Sequence, residues 1–147
     1  MNSFKITIEG QQFKKAYLVY VIRITKIEGN NYFYIGQTGD RNYLTARPAF
    51  RRLAGHFSDI GSSTENQVYR QIAVKILEIK EAKDKKAFTE KIKKRVGDFL
   101  EKCTIEMFVY SIAEFEDNGD KDLHIRNREL TEVIENELIN CIQKKLA

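Results

Sequence analysis

Three short stretches of this chain hold side chains suited to binding anions, moving protons or pairing with a cation. The first is "NYFYIGQTGDR", residues 31–41, where Tyr32, Phe33, Tyr34 and Ile35 read as a strand that breaks at Gly36 and again at Gly39. Two glycines around Gln37 and Thr38 fit a hairpin corner, or a place just beyond Tyr34 where the backbone must come close to something. The second is "RPAFRRLAGHF", residues 47–57. There Arg52 and His56, four apart, share one face of a helix, away from a stripe of Phe50, Leu53, Ala54 and Phe57. The third is "IENELI", residues 134–139, where Glu135 sits at the margin of an apolar stripe beside Leu138 and Ile142. A carboxylate in that place needs a partner, and Glu137 lies near the same stripe. His124, in "DLHIRNR", has no supporting neighbours and reads as structural.

Composition limits what these groups can serve. With 147 residues, 42% apolar and 31% charged, the chain fits one globular domain over 1–147 with a core of its own. Its first ten residues alternate polar and apolar instead of forming a basic, then apolar, leader, and no window approaches the ~18 apolar residues of a membrane span. Cys103 and Cys141 are too few and too far apart for a disulfide framework or a thiolate zinc site, which suits a reducing cytoplasm; both read as buried small apolar residues. Charge is uneven: residues 1–60 hold nine Lys/Arg against four Asp/Glu and 75–102 hold ten against six, while 103–147 hold five against ten. A basic portion suits a phosphate backbone, and the acidic C-terminal portion either binds a cation or balances the rest.

The elements that must position these groups follow from periodicity. A short strand is predicted at 3–8 and a long one at 16–25, whose nearly continuous apolar run implies burial on both faces. Gly29 and two asparagines turn the chain into 31–36 as an antiparallel hairpin. "RNYLTAR" is a loop or short helix, and Pro48 opens a helix running to about Asp59. After a capping loop at 61–66, Val68, Ile72, Ile76 and Ile79 repeat at helical spacing, with 74–79 open between helix and strand. Phe88, Ile92, Val96 and Phe99 form a stripe under the basic face of 80–95, inside a lysine-rich helical insertion around 75–102. A third main strand spans 104–115, and a final helix from about Asn127 to Leu146 is set by Leu130, Ile134, Leu138, Cys141 and Ile142. The fold class is α/β in the α+β sense: a small, mainly antiparallel three-stranded sheet flanked by helices.

In order along the chain, these residues resemble the GIY-YIG nucleases. "YIG" at Tyr34, Ile35 and Gly36 is literal; "LVYVI" is looser, with Tyr20 as its tyrosine and Leu18 where a glycine is usual. "RRLAGH" at 51–56 is similar to the family's arginine helix, selecting Arg52 and His56 with Arg51 as the alternative register, and "IENELI" selects Glu135 over Glu137. The resemblance spans about 17 to 142, and its specificity lies in the order of four matches. Departures are the longer stretch between Gly36 and Arg52, the lysine-rich insertion, and a supporting asparagine for which only Asn140 is available.

The resemblance implies a divalent-metal-dependent endonuclease cutting DNA, with RNA the less favoured substrate. Tyr20, Tyr34, Arg52, His56 and Glu135 would be catalytic, and Glu135 would hold one Mg²⁺, or Mn²⁺, which keeps its waters and needs few protein ligands. Arg52 would clamp the scissile phosphate through its planar fork. Tyr20 would orient or deprotonate the attacking water, its phenolate favoured by His56 or the metal. Gly36, Gln37, Arg41, Arg47, Arg51, Lys93 and Lys94 would contact nucleic acid, and Gly36 would also let substrate or the tyrosines approach the strand's end. A chain ending soon after Glu135 is expected to lack an appended DNA-reading domain, as in a phage, mobile-element or restriction-type enzyme, with sequence preference from 37–50, 80–102 or homodimerisation. Taken singly, the tyrosines are also ordinary core residues and the helix pair an ordinary solvated face. The loose first motif and missing asparagine equally fit a catalytically inactive nucleic-acid-binding module of the same fold.

Overall fold

Strand β1 (Ala16–Lys26) is the middle of the sheet because its residues can be buried nearly throughout. Tyr20, Ile22 and Ile24 fill one face; on the other Tyr17 and Val19 are buried, but Val21, Arg23 and Thr25 are only partly so and Arg23 pairs with Glu106 of a flanking strand. The expected burial on both faces therefore holds for the first half of the strand alone. The chain reverses at Gly29, whose φ of 91° lies in the left-handed region that glycine adopts freely, and returns as β2 (Asn31–Gln37). Antiparallel pairing sets Tyr20 opposite Gly36 and Ile22 opposite Tyr34. Across the other edge of β1 runs β3 (Cys103–Glu114), also antiparallel, so the strand order is β2-β1-β3. This architecture comes from a computed structural model that describes residues 2–62 and 64–142.

Among the described residues, four α-helices flank the sheet. Helix α1 (Ala49–Phe57) starts after Pro48, which stands just outside it with extended backbone. Helix α2 (Gln67–Gln71) continues as a π-type turn, Ile72–Ile76. Asp84 caps α3 (Lys85–Leu100) by accepting from the Ala87 amide, and Asp120 caps α4 (Lys121–Cys141) by accepting from the Leu123 amide. Tyr20, Ile22 and Ile24 meet Val68, Tyr69, Ile72 and Ala73 and then Phe88, Ile92 and Val96 in one core. The stripe beneath the lysine-rich face therefore closes the main core. No described helix is long and apolar enough to cross a membrane.

Several expectations need correction. Residues 3–8 form no strand: Phe4 is 91% exposed, because β2 and β3 end the sheet and neither edge takes a further partner. The last helix begins six residues earlier than its apolar stripe indicates, at the Asp120 cap, and the expected end at Leu146 lies outside the described residues. Leu130 and Cys141 are exposed, Cys103 is only partly buried, and the buried positions of α4 are His124 and Thr131. On α1 Leu53 and Phe57 of the expected stripe pack against the core and Phe50 packs on Phe13, but Ala54 is exposed and His56, expected on a different face, is inside as well. The open segment 74–79 begins as the end of the π-type turn.

Phe88→Ala opens a cavity at the centre of this core and should cost about 3–5 kcal/mol in urea unfolding. Lys94→Ala removes an exposed pair with Asp98 and should change stability by less than about 0.5 kcal/mol.

Candidate active site

The site is organised by one cross-strand pair. Tyr20 and Gly36 face each other on β1 and β2, and a Cβ on Gly36 would fall inside the Tyr20 ring and hydroxyl. The phenol thus occupies the space beside the glycine; the expected strand break at Gly36 does not occur, since β2 runs on through Gln37, and the glycine is needed for this close approach. Beyond Gly36 the Tyr20 hydroxyl meets His56 Nε2 at 2.6 Å, and Arg52 Nε donates to the same oxygen at 3.2 Å. With Arg52 obliged to donate, the phenol proton points to Nε2, leaving His56 protonated on Nδ1. Among the described residues that buried Nδ1 has no hydrogen-bond partner. Tyr34 sets its ring edge-to-face on His56, with centroids 4.6 Å apart.

Helix packing separates the two adjacent arginines. Arg52 turns to Tyr20, while Arg51 pairs with Glu65 in the loop after α1. Asn66, at φ 65°, takes the Gly55 carbonyl with its amide and the Ser58 carbonyl with its side chain, holding the end of α1 in place.

Glu135 approaches from α4. Its charge acts on both Tyr20 and Tyr34, and Arg52 and Arg41 act on it. Glu137 and Asn140 are exposed, so neither joins the site. Four α4 side chains at steps of four, four and three line this side: His124, Arg128, Glu132 and Glu135. His124 Nε2 donates to the Asp40 carbonyl at 2.9 Å and its Nδ1 takes the Tyr17 hydroxyl at 2.6 Å. Arg128 packs over Gly39, and Glu132 pairs with Arg41 at 3.1 Å. Asp40, Arg128 and Glu132 carry no mark of their own in the sequence and His124 reads there as structural; the four-four-three spacing on α4 is the signal that joins them.

Thr38 continues the β1–β2 pairing past the strand: its amide bonds the Leu18 carbonyl at 3.2 Å, and its hydroxyl accepts from the Leu18 amide at 2.9 Å and donates to the Ala16 carbonyl. From there the chain forms a loop back to α1, and a polar cleft of about 220 Å³ opens between them. Gln37, Arg41, Arg47 and Arg52 are in its wall, with Thr64 and Gln67 opposite in sequence. Gly36 lies behind it under Tyr20. Lys93 and Lys94 are in ion pairs with Glu90 and Asp98 on α3, and Arg51 is held by Glu65; none of the three lines this cleft.

Burial dominates the site's proton chemistry. Desolvation pushes the Tyr20 phenol up, against the lowering effect of Arg52, and raises Tyr34 strongly. His56, 1% exposed, is lowered to about 3, first by desolvation and then by the Arg52 charge. The expectation that a cationic His56 favours a Tyr20 phenolate is therefore wrong: the imidazole is neutral at pH 7, an acceptor and not a cation. Glu135 is raised, by desolvation and then by the neighbouring Glu132 charge. Among the described residues it makes no hydrogen bond and no ion pair, and no group of three or more His, Cys, Asp or Glu gathers to hold a metal. A lone, unpaired carboxylate in a partly dry place fits a hydrated Mg²⁺ that takes one protein ligand, and does not fit an all-protein cage.

No protein-family model, curated protein or solved structure matches the chain.

The depressed His56 sets a pH dependence. Its folded value near 3 lies below the ordinary 6.5, so the unfolded chain takes the proton first as pH falls. Stability is full above about 6.5 and declines toward 3 by up to about 1.4 kcal/mol per pH unit. Urea unfolding should therefore find about 2 kcal/mol less stability at pH 5 than at pH 7, and His56→Gln should lose most of that difference.

Proposed function

We propose that this chain is a divalent-metal-dependent endonuclease of the GIY-YIG type that hydrolyses phosphodiester bonds of DNA. One observation carries the reading. Tyr20, Tyr34, Arg52 and His56 meet at a single junction, the charge of Glu135 from a distant helix acts on its two tyrosines, and the junction backs onto a cleft walled by three arginines. The order of the motifs along the chain supports the same class.

Arg52, the member of the junction that lines the cleft, takes the scissile phosphate, with Arg41 and Arg47 beside it. An arriving phosphate offsets the Arg52 charge, the second cause of the low His56 value, so the imidazole becomes a better base when substrate is present. The same shift of Arg52 onto the phosphate would uncover the Tyr20 hydroxyl, 0% exposed beneath it, so that Tyr20 hands its proton to His56 Nε2 as it takes one from the attacking water, without a free phenolate at neutral pH. The edge of Tyr34 fixes the imidazole plane. Glu135 would hold Mg²⁺ or Mn²⁺, which when bound supplies Lewis acidity to the reacting phosphate. A reducing, cytoplasmic setting suits a chain whose cysteines are both free.

The second reading, a nucleic-acid-binding module without catalysis, draws on the burial of Tyr20, 0% exposed beneath Arg52. Supercoiled plasmid separates the two. With Mg²⁺ or Mn²⁺ the wild-type chain should nick it, and Glu135→Ala and Arg52→Lys should each slow nicking about 10²–10³-fold while the circular-dichroism melting curve persists. Intact plasmid with retained binding would establish the module, and preferential cleavage of a parallel RNA would reassign the substrate.

A further inference from the structure

The loop between Thr38 and Arg47 is a built hairpin whose tip is apolar. Gly39 and Ala46 form a β-bridge, the Asp40 amide donates to the Thr45 carbonyl at 3.0 Å, and Asp40 Oδ1 accepts from the amides of Asn42 and Tyr43 at 2.8 and 3.1 Å. Helix α4 pins the base through the His124 bond to the Asp40 carbonyl and the Glu132 pair with Arg41. At the tip, Leu44 leans into the small hollow it lines with Tyr17, Leu123 and His124, while Tyr43 stands 71% exposed.

A loop tip built for solubility alone would be polar. Here an aromatic ring follows Asn42, itself in the wall of the arginine cleft, on a loop whose base is held by the Gly39–Ala46 bridge and by His124. Aromatic faces stack on any nucleotide base, and the neighbouring cleft offers guanidinium groups to phosphates on the same strand.

We propose that Tyr43 is a base-stacking residue that engages a nucleotide beside the phosphate held by Arg41, Arg47 and Arg52. The assignment rests on the nucleic-acid reading of that cleft and not on cleavage. Phosphate contacts hold the strand without reading it, so Tyr43 supplies a contact to the bases themselves. In a duplex such a contact requires the engaged base to leave its stack, which exposes it to chemical probes.

The test uses the full chain carrying Glu135→Gln, so that DNA is not consumed, with a fluorescein-labelled duplex titrated at several salt concentrations. Added to that parent, Tyr43→Ala should bind about tenfold more weakly at every salt concentration, with the slope of log Kd against log salt unchanged, because no charge is lost. Tyr43→Phe should bind as the parent does, and Arg47→Ala should reduce the slope by about one phosphate's worth. Permanganate should find a newly reactive thymine with the parent and with Tyr43→Phe, and none with Tyr43→Ala. Equal binding by Tyr43→Ala, a slope reduced as in Arg47→Ala, or no duplex binding by the parent would overturn the assignment. Tyr43-dependent binding by a wild-type chain that never cuts would uphold it and remove the nuclease reading; cutting and binding indifferent to Tyr43 would do the reverse.

Discussion

Tyr20 can extend across β2 only because residue 36 has no side chain. The ring occupies the space a Cβ would take, and this carries the hydroxyl from the sheet to α1, where it reaches Arg52 and His56 together. The other groups take their positions from that crossing. His56 is driven into the interior and held neutral, Tyr34 closes on its ring, and Arg52 is drawn to the rim of the cleft instead of into solvent. The arrangement carries a cost: a buried imidazole Nδ1 with no partner among the described residues forfeits about 1–3 kcal/mol. Groups left unsatisfied in this way concentrate where a structure serves something besides its own stability.

Helix α4 plays the complementary part. Its most buried side chains are polar, and they act as fasteners across a distance of some eighty residues in sequence. His124 holds the base of the arginine loop, Arg128 covers Gly39, Glu132 holds Arg41, and one turn further Glu135 meets the tyrosine junction. The loop that presents the cations and the acid that opposes them are thus set by one rigid rod. Raising the Glu135 carboxyl by burial and by the Glu132 charge works against stability at neutral pH and favours any cation that can share the place.

The parts visible in the sequence were those written in local pattern. The apolar run of β1, the turn at Gly29, and the stripe of Phe88, Ile92 and Val96 each declare an element without help from elsewhere. Residues 3–8 carry an equally good alternation, yet a strand also needs an open edge to pair with, and alternation says nothing about that. The apolar stripe of α4 was legible only in part: Ile134, Leu138 and Ile142 are half-buried, while Leu130 and Cys141 face outward because the partners of the polar face come from a distant loop. His56 looked like one more solvated side chain until Tyr20 came across Gly36 to meet it. Arg51 and Arg52 could not be told apart before α1 was packed, since only rotation about the helix axis separates a pair with Glu65 from one with Tyr20.

The junction depends on one oxygen atom, and Tyr20→Phe removes it while leaving the ring over Gly36. The single-turnover rate of plasmid nicking with Mg²⁺ should then drop at least about 10²-fold, with duplex affinity and the melting midpoint close to wild type, because the hydroxyl joins the phosphate clamp to the proton acceptor. A Tyr20→Phe chain that nicks at the wild-type rate would contradict the account.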